Sequence, residues 1–65
     1  MLRVETEKED DGRWLAEVQD IPGAMAYGSN EGEAIAKAEA LALRSLAERL
    51  EHGELVPDLK GLFAA

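Results

Sequence analysis

The sequence contains no cysteine, which excludes disulfide bonds and any thiolate metal site. Histidine occurs once, at His52, so no second imidazole or thiolate can join it in a transition-metal site. The lone Trp and Tyr do not lie in a basic patch, and the basic residues are scattered, so no nucleic-acid-binding surface is legible. No apolar run approaches the ~20 residues needed to span a bilayer. Met1-Leu2-Arg3-Val4-Glu5 also lacks the apolar segment of an export signal, so the expected location is cytoplasmic and away from membranes. Glycines 12, 23, 28, 32, 53 and 61 are dispersed and form no phosphate-cradling loop.

Acidic side chains are what the sequence has in excess. Fourteen Asp and Glu stand against seven Lys and Arg, a formal net charge of −7. Such a field repels a phosphate backbone and draws in a basic protein partner, although acidity also serves solubility alone. At 65 residues the chain is expected to form one domain over 1–65, near the lower limit for a self-sufficient core. Small scaffolds without covalent or metal staples commonly gain stability by oligomerising, so a homo-oligomer is expected.

The pattern along the chain predicts an α+β fold: a three-stranded antiparallel sheet with one long helix on one face. Leu2, Val4 and Thr6 alternate with Arg3, Glu5 and Glu7, the period of a half-buried strand over about 2–8. Lys8–Gly12 offers nothing apolar and closes on Asp11-Gly12, a hairpin signal. A second strand over about 13–19 places Trp14, Ala16 and Val18 on one face. Asp20-Ile21-Pro22-Gly23 breaks the alternation, because proline lacks a ladder donor and glycine allows a sharp turn. A third strand spans about 24–28, where the small Ala24 and Ala26 permit close approach of a helix.

The helix is predicted over about 31–52, roughly 33 Å long at 1.5 Å per residue. Asn30 can cap it, and Glu33 at the third helical position completes a capping-box-like pair. Ala34, Ile35, Ala38, Leu41, Ala42, Ser45, Leu46 and Leu50 then recur as one broad apolar face. Gly53 is suited to the position just past the helix end, where His52 would complement the helix dipole. Leu59, Leu62 and Phe63 are too apolar for a free tail; they suit a short fourth element within 55–63 or a contact with another subunit.

Catalytic signals are weak. The acidic hairpin loop lacks the spaced oxygen ligands and terminal Glu of a calcium loop. Ser29 and Ser45 have no histidine within a plausible triad. No catalytic residue, cofactor or metal ligand is therefore assigned, and the chain is read as a non-enzyme. The face opposite the helix should carry Leu15, Met25 and Tyr27 among Arg3, Glu5, Glu17 and Gln19. Leu15, Met25, Tyr27, Leu59, Leu62 and Phe63 are the expected association residues. Asp20, Pro22, Gly23, Gly28, Asn30, Glu33 and Gly53 are expected to shape turns and caps.

Three segments in order carry a family resemblance. They are Gly12-Arg13-Trp14-Leu15-Ala16-Glu17-Val18-Gln19-Asp20-Ile21-Pro22-Gly23, then Gly28-Ser29-Asn30-Glu31-Gly32-Glu33-Ala34-Ile35, and last Gly53-Glu54-Leu55-Val56-Pro57. Together, over about residues 2–57, they resemble the HicB-like antitoxin domain. The resemblance implies a β-β-β-α core related to a degenerate ribonuclease H fold and usually completed by a further strand. It implies binding to a small, basic HicA-type toxin, an mRNA-cleaving ribonuclease whose active site the antitoxin covers, and assembly as dimers or tetramers. Many members continue into a DNA-binding segment. Pro57 is followed here by eight residues, too few for one, so no direct DNA binding is expected. The alternative is a solitary oligomeric scaffold or regulator that binds another protein or a small ligand; residual Mg²⁺-dependent nuclease activity is a third reading.

Overall fold

The computed structural model describes residues 2–54. The expected fourth element in 55–63, with Leu59, Leu62 and Phe63, lies outside the described residues. The elements follow in the order β1 (Val4–Lys8), β2 (Trp14–Val18), β3 (Met25–Gly28) and α1 (Glu31–Glu51). The strands form one antiparallel sheet in the order β1-β2-β3, and α1 packs on one face of it. This is the βββα, α+β arrangement that periodicity and turn chemistry call for.

The β1–β2 turn is one residue longer than a two-residue Asp-Gly hairpin. The Gly12 N–H donates to the Glu9 carbonyl at 3.0 Å, and the Glu9 N–H donates to the Arg13 carbonyl at 2.8 Å. Asp10, Asp11 and Gly12 thus form a three-residue loop in which Gly12 takes φ +91°. Asp11 steadies it by accepting the Arg13 N–H at 3.0 Å and pairing with Arg13 Nε at 2.7 Å. The bond from the Arg13 backbone is the main reason the Asp11 carboxyl is held below its usual range.

The second turn follows from Pro22-Gly23. The Ala24 N–H donates to the Ile21 carbonyl at 3.1 Å, with Pro22 and Gly23 at the two central positions and Gly23 at φ +83°. Proline supplies the first dihedral of a type II turn and glycine the left-handed second. The turn tucks Ile21 into the core. Asp20 ties the same corner to the start of β1, accepting the Arg3 N–H at 3.3 Å and lying 3.9 Å from Arg3 Nη2.

Register puts alternate side chains under the helix. Val4 opposes Val18 and Thr6 opposes Ala16, while Ala16 opposes Ala26 and Trp14 opposes Gly28. Among the described residues, the fully buried core is Ala16, Val18, Ile21, Ala24, Ala34, Ala38, Ala42 and Leu46. Most of these are alanines, so helix and sheet lie close together and each contact buries little area. Gly28 marks the tightest approach: a Cβ there would lie 2.5 Å from the Ala34 backbone nitrogen.

The helix begins and ends on defined caps. Asn30 Oδ1 accepts the Glu33 N–H at 2.8 Å. The returning arm differs from a standard capping box: Glu33 reaches past Asn30 to accept the Ser29 N–H at 3.1 Å and the Ser29 hydroxyl at 3.2 Å. At the other end, the Gly53 N–H donates to the Leu50 carbonyl and the Glu54 N–H to the Arg49 carbonyl, with Gly53 at φ +75°. That bond pair is a Schellman motif.

One expectation about α1 is corrected. The buried face is not the broad stripe through Leu41 and Leu50 but a narrow seam of Ala34, Ala38, Ala42 and Leu46. Leu41 is exposed, as are Leu43 (58%) and Leu50 (51%). Leu41 and Leu43 precede the buried Leu46 and are turned about 100° to either side of Ala42, so they flank the seam. For Leu50 the reason is one of length. Five-residue strands reach about 17 Å, whereas the 21-residue helix reaches about 32 Å. Its last turns therefore extend past the sheet, and periodicity alone cannot tell a covered leucine from an uncovered one.

Candidate functional site

The face of the sheet away from α1 collects the side chains that the core does not use. Pairing across the three strands sets two rows, Glu5–Glu17–Met25 and Glu7–Leu15–Tyr27. The face is therefore divided. Its β3 half is apolar, with Met25 46% and Tyr27 45% exposed beside the partly buried Leu15. Its β1 half is acidic: Glu5, Glu7 and Glu17 line a small recess with Thr6 and Leu15. Arg13 lies over the Tyr27 ring, its guanidinium carbon 4.4 Å from the centroid, and rims the apolar half with a cation.

Glu5 and Glu17 are direct cross-strand partners, a like-charge pairing that disfavours the sheet. The ion pairs of the described residues lie elsewhere, at Arg3–Asp20, Arg13–Asp11 and Lys37–Glu33. Glu5 is exposed and Glu17 half-buried, so the two like charges sit beside the exposed Met25 and Tyr27 and outside the core.

A second feature lies along the outer side of β1. Leu2, Val4 and Val18 from the sheet and Glu39, Ala42 and Leu43 from α1 line an open, largely apolar cleft of about 250 Å³. It exists because the alanine seam seats the helix over β2 and β3, so that α1 meets β1 much less. One link across that gap is the Thr6 hydroxyl, which donates to Glu31 Oε2 at 2.7 Å.

Of the association residues expected from sequence, Leu15, Met25 and Tyr27 lie together on the open face. Leu59, Leu62 and Phe63 fall outside the described residues. Asp20, Pro22, Gly23, Gly28, Asn30, Glu33 and Gly53 occupy the turns, caps and close approach described above; of these, Gly28 and Glu33 also line a shallow recess with Arg13 and Tyr27. Alternation in β1 already sets Glu7 on the same side as Glu5, although it is not among the residues expected on the open face. Sequence reasoning missed Arg13 and Leu43; the Arg13–Tyr27 stacking needs the β2–β3 register, which alternation alone does not supply.

Among the described residues, no group of three acidic or histidine side chains converges to hold a metal ion. No helix among them is long and apolar enough to cross a membrane. Glu33 is held below the usual carboxylate range, first by the bond from the Ser29 backbone and then by Lys37, 3.3 Å away. Its environment is that of a helix cap. No family model, curated protein or solved structure matches this chain.

Proposed function

We propose that this chain is a non-catalytic binding module of the HicB-like antitoxin type. In this reading it neutralises a small basic HicA-type toxin by covering the toxin's RNA-cleaving site, and it acts as a homo-oligomer in the cytoplasm. The observation that carries the reading is the divided open face: an apolar half of Leu15, Met25 and Tyr27 beside the carboxylates Glu5, Glu7 and Glu17, which form no ion pair among the described residues. The carboxylates favour a positively charged partner and speed its approach, while the apolar half suits contact between copies of the chain. The ordered sequence segments through Asp20-Ile21-Pro22-Gly23 and Gly28–Ile35 supply the family resemblance, and the net charge of −7 suits a basic toxin.

The test is a titration of a purified HicA-type toxin, ideally one encoded beside this chain, with RNA cleavage as the readout. Loss of cleavage at a stoichiometric ratio is the expected result. A stable homo-oligomer that leaves cleavage untouched and shows no binding would reject the antitoxin role and leave the solitary scaffold reading.

A further inference from the structure

Resting on the reading as a binding module, we propose that the outer edge of β1 receives one extended strand from a partner protein, in which apolar and basic residues alternate. Three independent features of the edge converge on that chemistry.

The first is the backbone. The Gln19 N–H donates to the Arg3 carbonyl and the Glu9 N–H to the Arg13 carbonyl, so the odd-numbered residues of this strand spend their polar groups on β2. In an antiparallel ladder the intervening residues then direct theirs outward. Val4, Thr6 and Lys8 thus present N–H and C=O groups at an edge that no other strand of the described residues pairs with. Such an edge is a template for strand addition.

The second is the cleft beneath that edge. A strand laid along β1 turns every other side chain toward the helix side, where Leu2, Val4, Val18, Ala42 and Leu43 offer apolar walls. Leu43, 58% exposed, is the wall with most to gain from being covered. These positions of the incoming strand must be apolar.

The third is charge. The remaining side chains of the incoming strand emerge on the open face beside Glu5 and Glu7, with Glu17 next to Glu5 in the following strand. Lysine or arginine there relieves the Glu5–Glu17 repulsion. A second copy adding its own β1 brings another Glu5 and Glu7 to the same face, so charge selects a basic partner strand over self-pairing.

The experiment titrates the full chain with a blocked synthetic peptide that alternates valine and lysine, following backbone amides by NMR and hydrogen exchange. A valine–glutamate peptide and a peptide with the same lysines segregated to one end serve as controls. The alternating basic peptide should bind, protect the Val4, Thr6 and Lys8 amides, and lose affinity with added salt, while both controls bind more weakly. Glu5→Lys with Glu7→Lys, exposed positions that leave the core intact, should weaken binding roughly tenfold through two reversed cross-strand pairs. Protection that appears at Met25 and Tyr27 instead would overturn the proposal. So would equal binding of the valine–glutamate peptide, or no binding at all. Val4, Thr6 and Lys8 amides already protected in the free protein would also overturn it, with a doubled mass assigning the edge to a second copy and an unchanged mass to residues 55–65. Failure of toxin neutralisation with peptide binding intact rejects the antitoxin role and not the edge; neutralisation without β1 protection does the reverse.

Discussion

Gly28 and Gly32 lie four residues apart, and only Gly28 is required by packing. At Gly28 a methyl group meets the Ala34 backbone nitrogen at 2.5 Å and its Cα at 2.9 Å, and backbone cannot swing aside as a side chain does. Gly28→Ala must lift the start of α1 from β3, and we expect a loss of about 1–3 kcal/mol in urea unfolding. At Gly32 the nearest atom to an added Cβ is Asn30 Oδ1 at 3.5 Å, an ordinary contact within the first helical turn. Gly32→Ala should therefore stabilise the protein by about 0.4–1 kcal/mol, chiefly by restricting the unfolded chain. Equal effects of the two substitutions in the same assay would refute the close approach at β3.

The helix is the element on which most of the fold depends, and its start is chemically specified. Asn30→Ala removes the acceptor for the Glu33 N–H and should cost about 0.5–2 kcal/mol. Acid should loosen the same turn. Glu33 is bonded to Ser29 and lies beside Lys37, so its folded pKa falls below the ordinary 4.5. A depressed carboxylate pKa contributes stability above the unfolded value and loses it as pH falls through the folded one. NMR signals of residues 29–37 should thus shift and broaden below about pH 4.5 before those of the Gly53 end, where the cap is backbone alone. Along the buried seam, Leu46 is the largest fully buried side chain among the described residues. Leu46→Ala should cost about 2–5 kcal/mol, whereas Leu50→Ala, at a position 51% exposed, should change stability by less than about 0.5 kcal/mol.

For the whole molecule, the alanine-rich core explains why so much apolar surface remains outside. Leu43 flanks the narrow alanine seam, and Met25 and Tyr27 face away from the helix, so all three stay about half exposed among the described residues. Association is the usual remedy for a scaffold of this size. The apolar half of the open face is the part free of like charge, so a second copy is better accommodated there than along β1. Met25→Lys combined with Tyr27→Lys should reduce the mass measured by light scattering while the helical circular dichroism persists. An unchanged mass with intact helix would remove these residues from the self-contact. Because the chain carries −7, capture of a basic partner should slow markedly as salt is raised from low to physiological strength, most visibly in the association rate.

The sequence by itself determined the elements, their order and their ends. Alternation from Leu2 to Thr6 and from Trp14 to Val18, the Pro22-Gly23 turn, and the Asn30 and Gly53 caps are local signals, written within a few residues of where they act. The composition of the open face was largely legible for the same reason, since a strand's side chains alternate without reference to anything distant. Tertiary structure decided the rest. Which helical leucines are covered depends on the width of the seam and on where a short sheet stops beneath a long helix: Leu41 and Leu43 flank the seam, and Leu50 lies past the buried Leu46. Which carboxylates face each other depends on register, set by a three-residue loop whose extra residue no alternation rule supplies. The cleft beside β1 exists only because a row of alanines and Gly28 seats the helix toward β2 and β3. Periodicity records which way a side chain points along its own element; only packing decides whether anything is there to meet it.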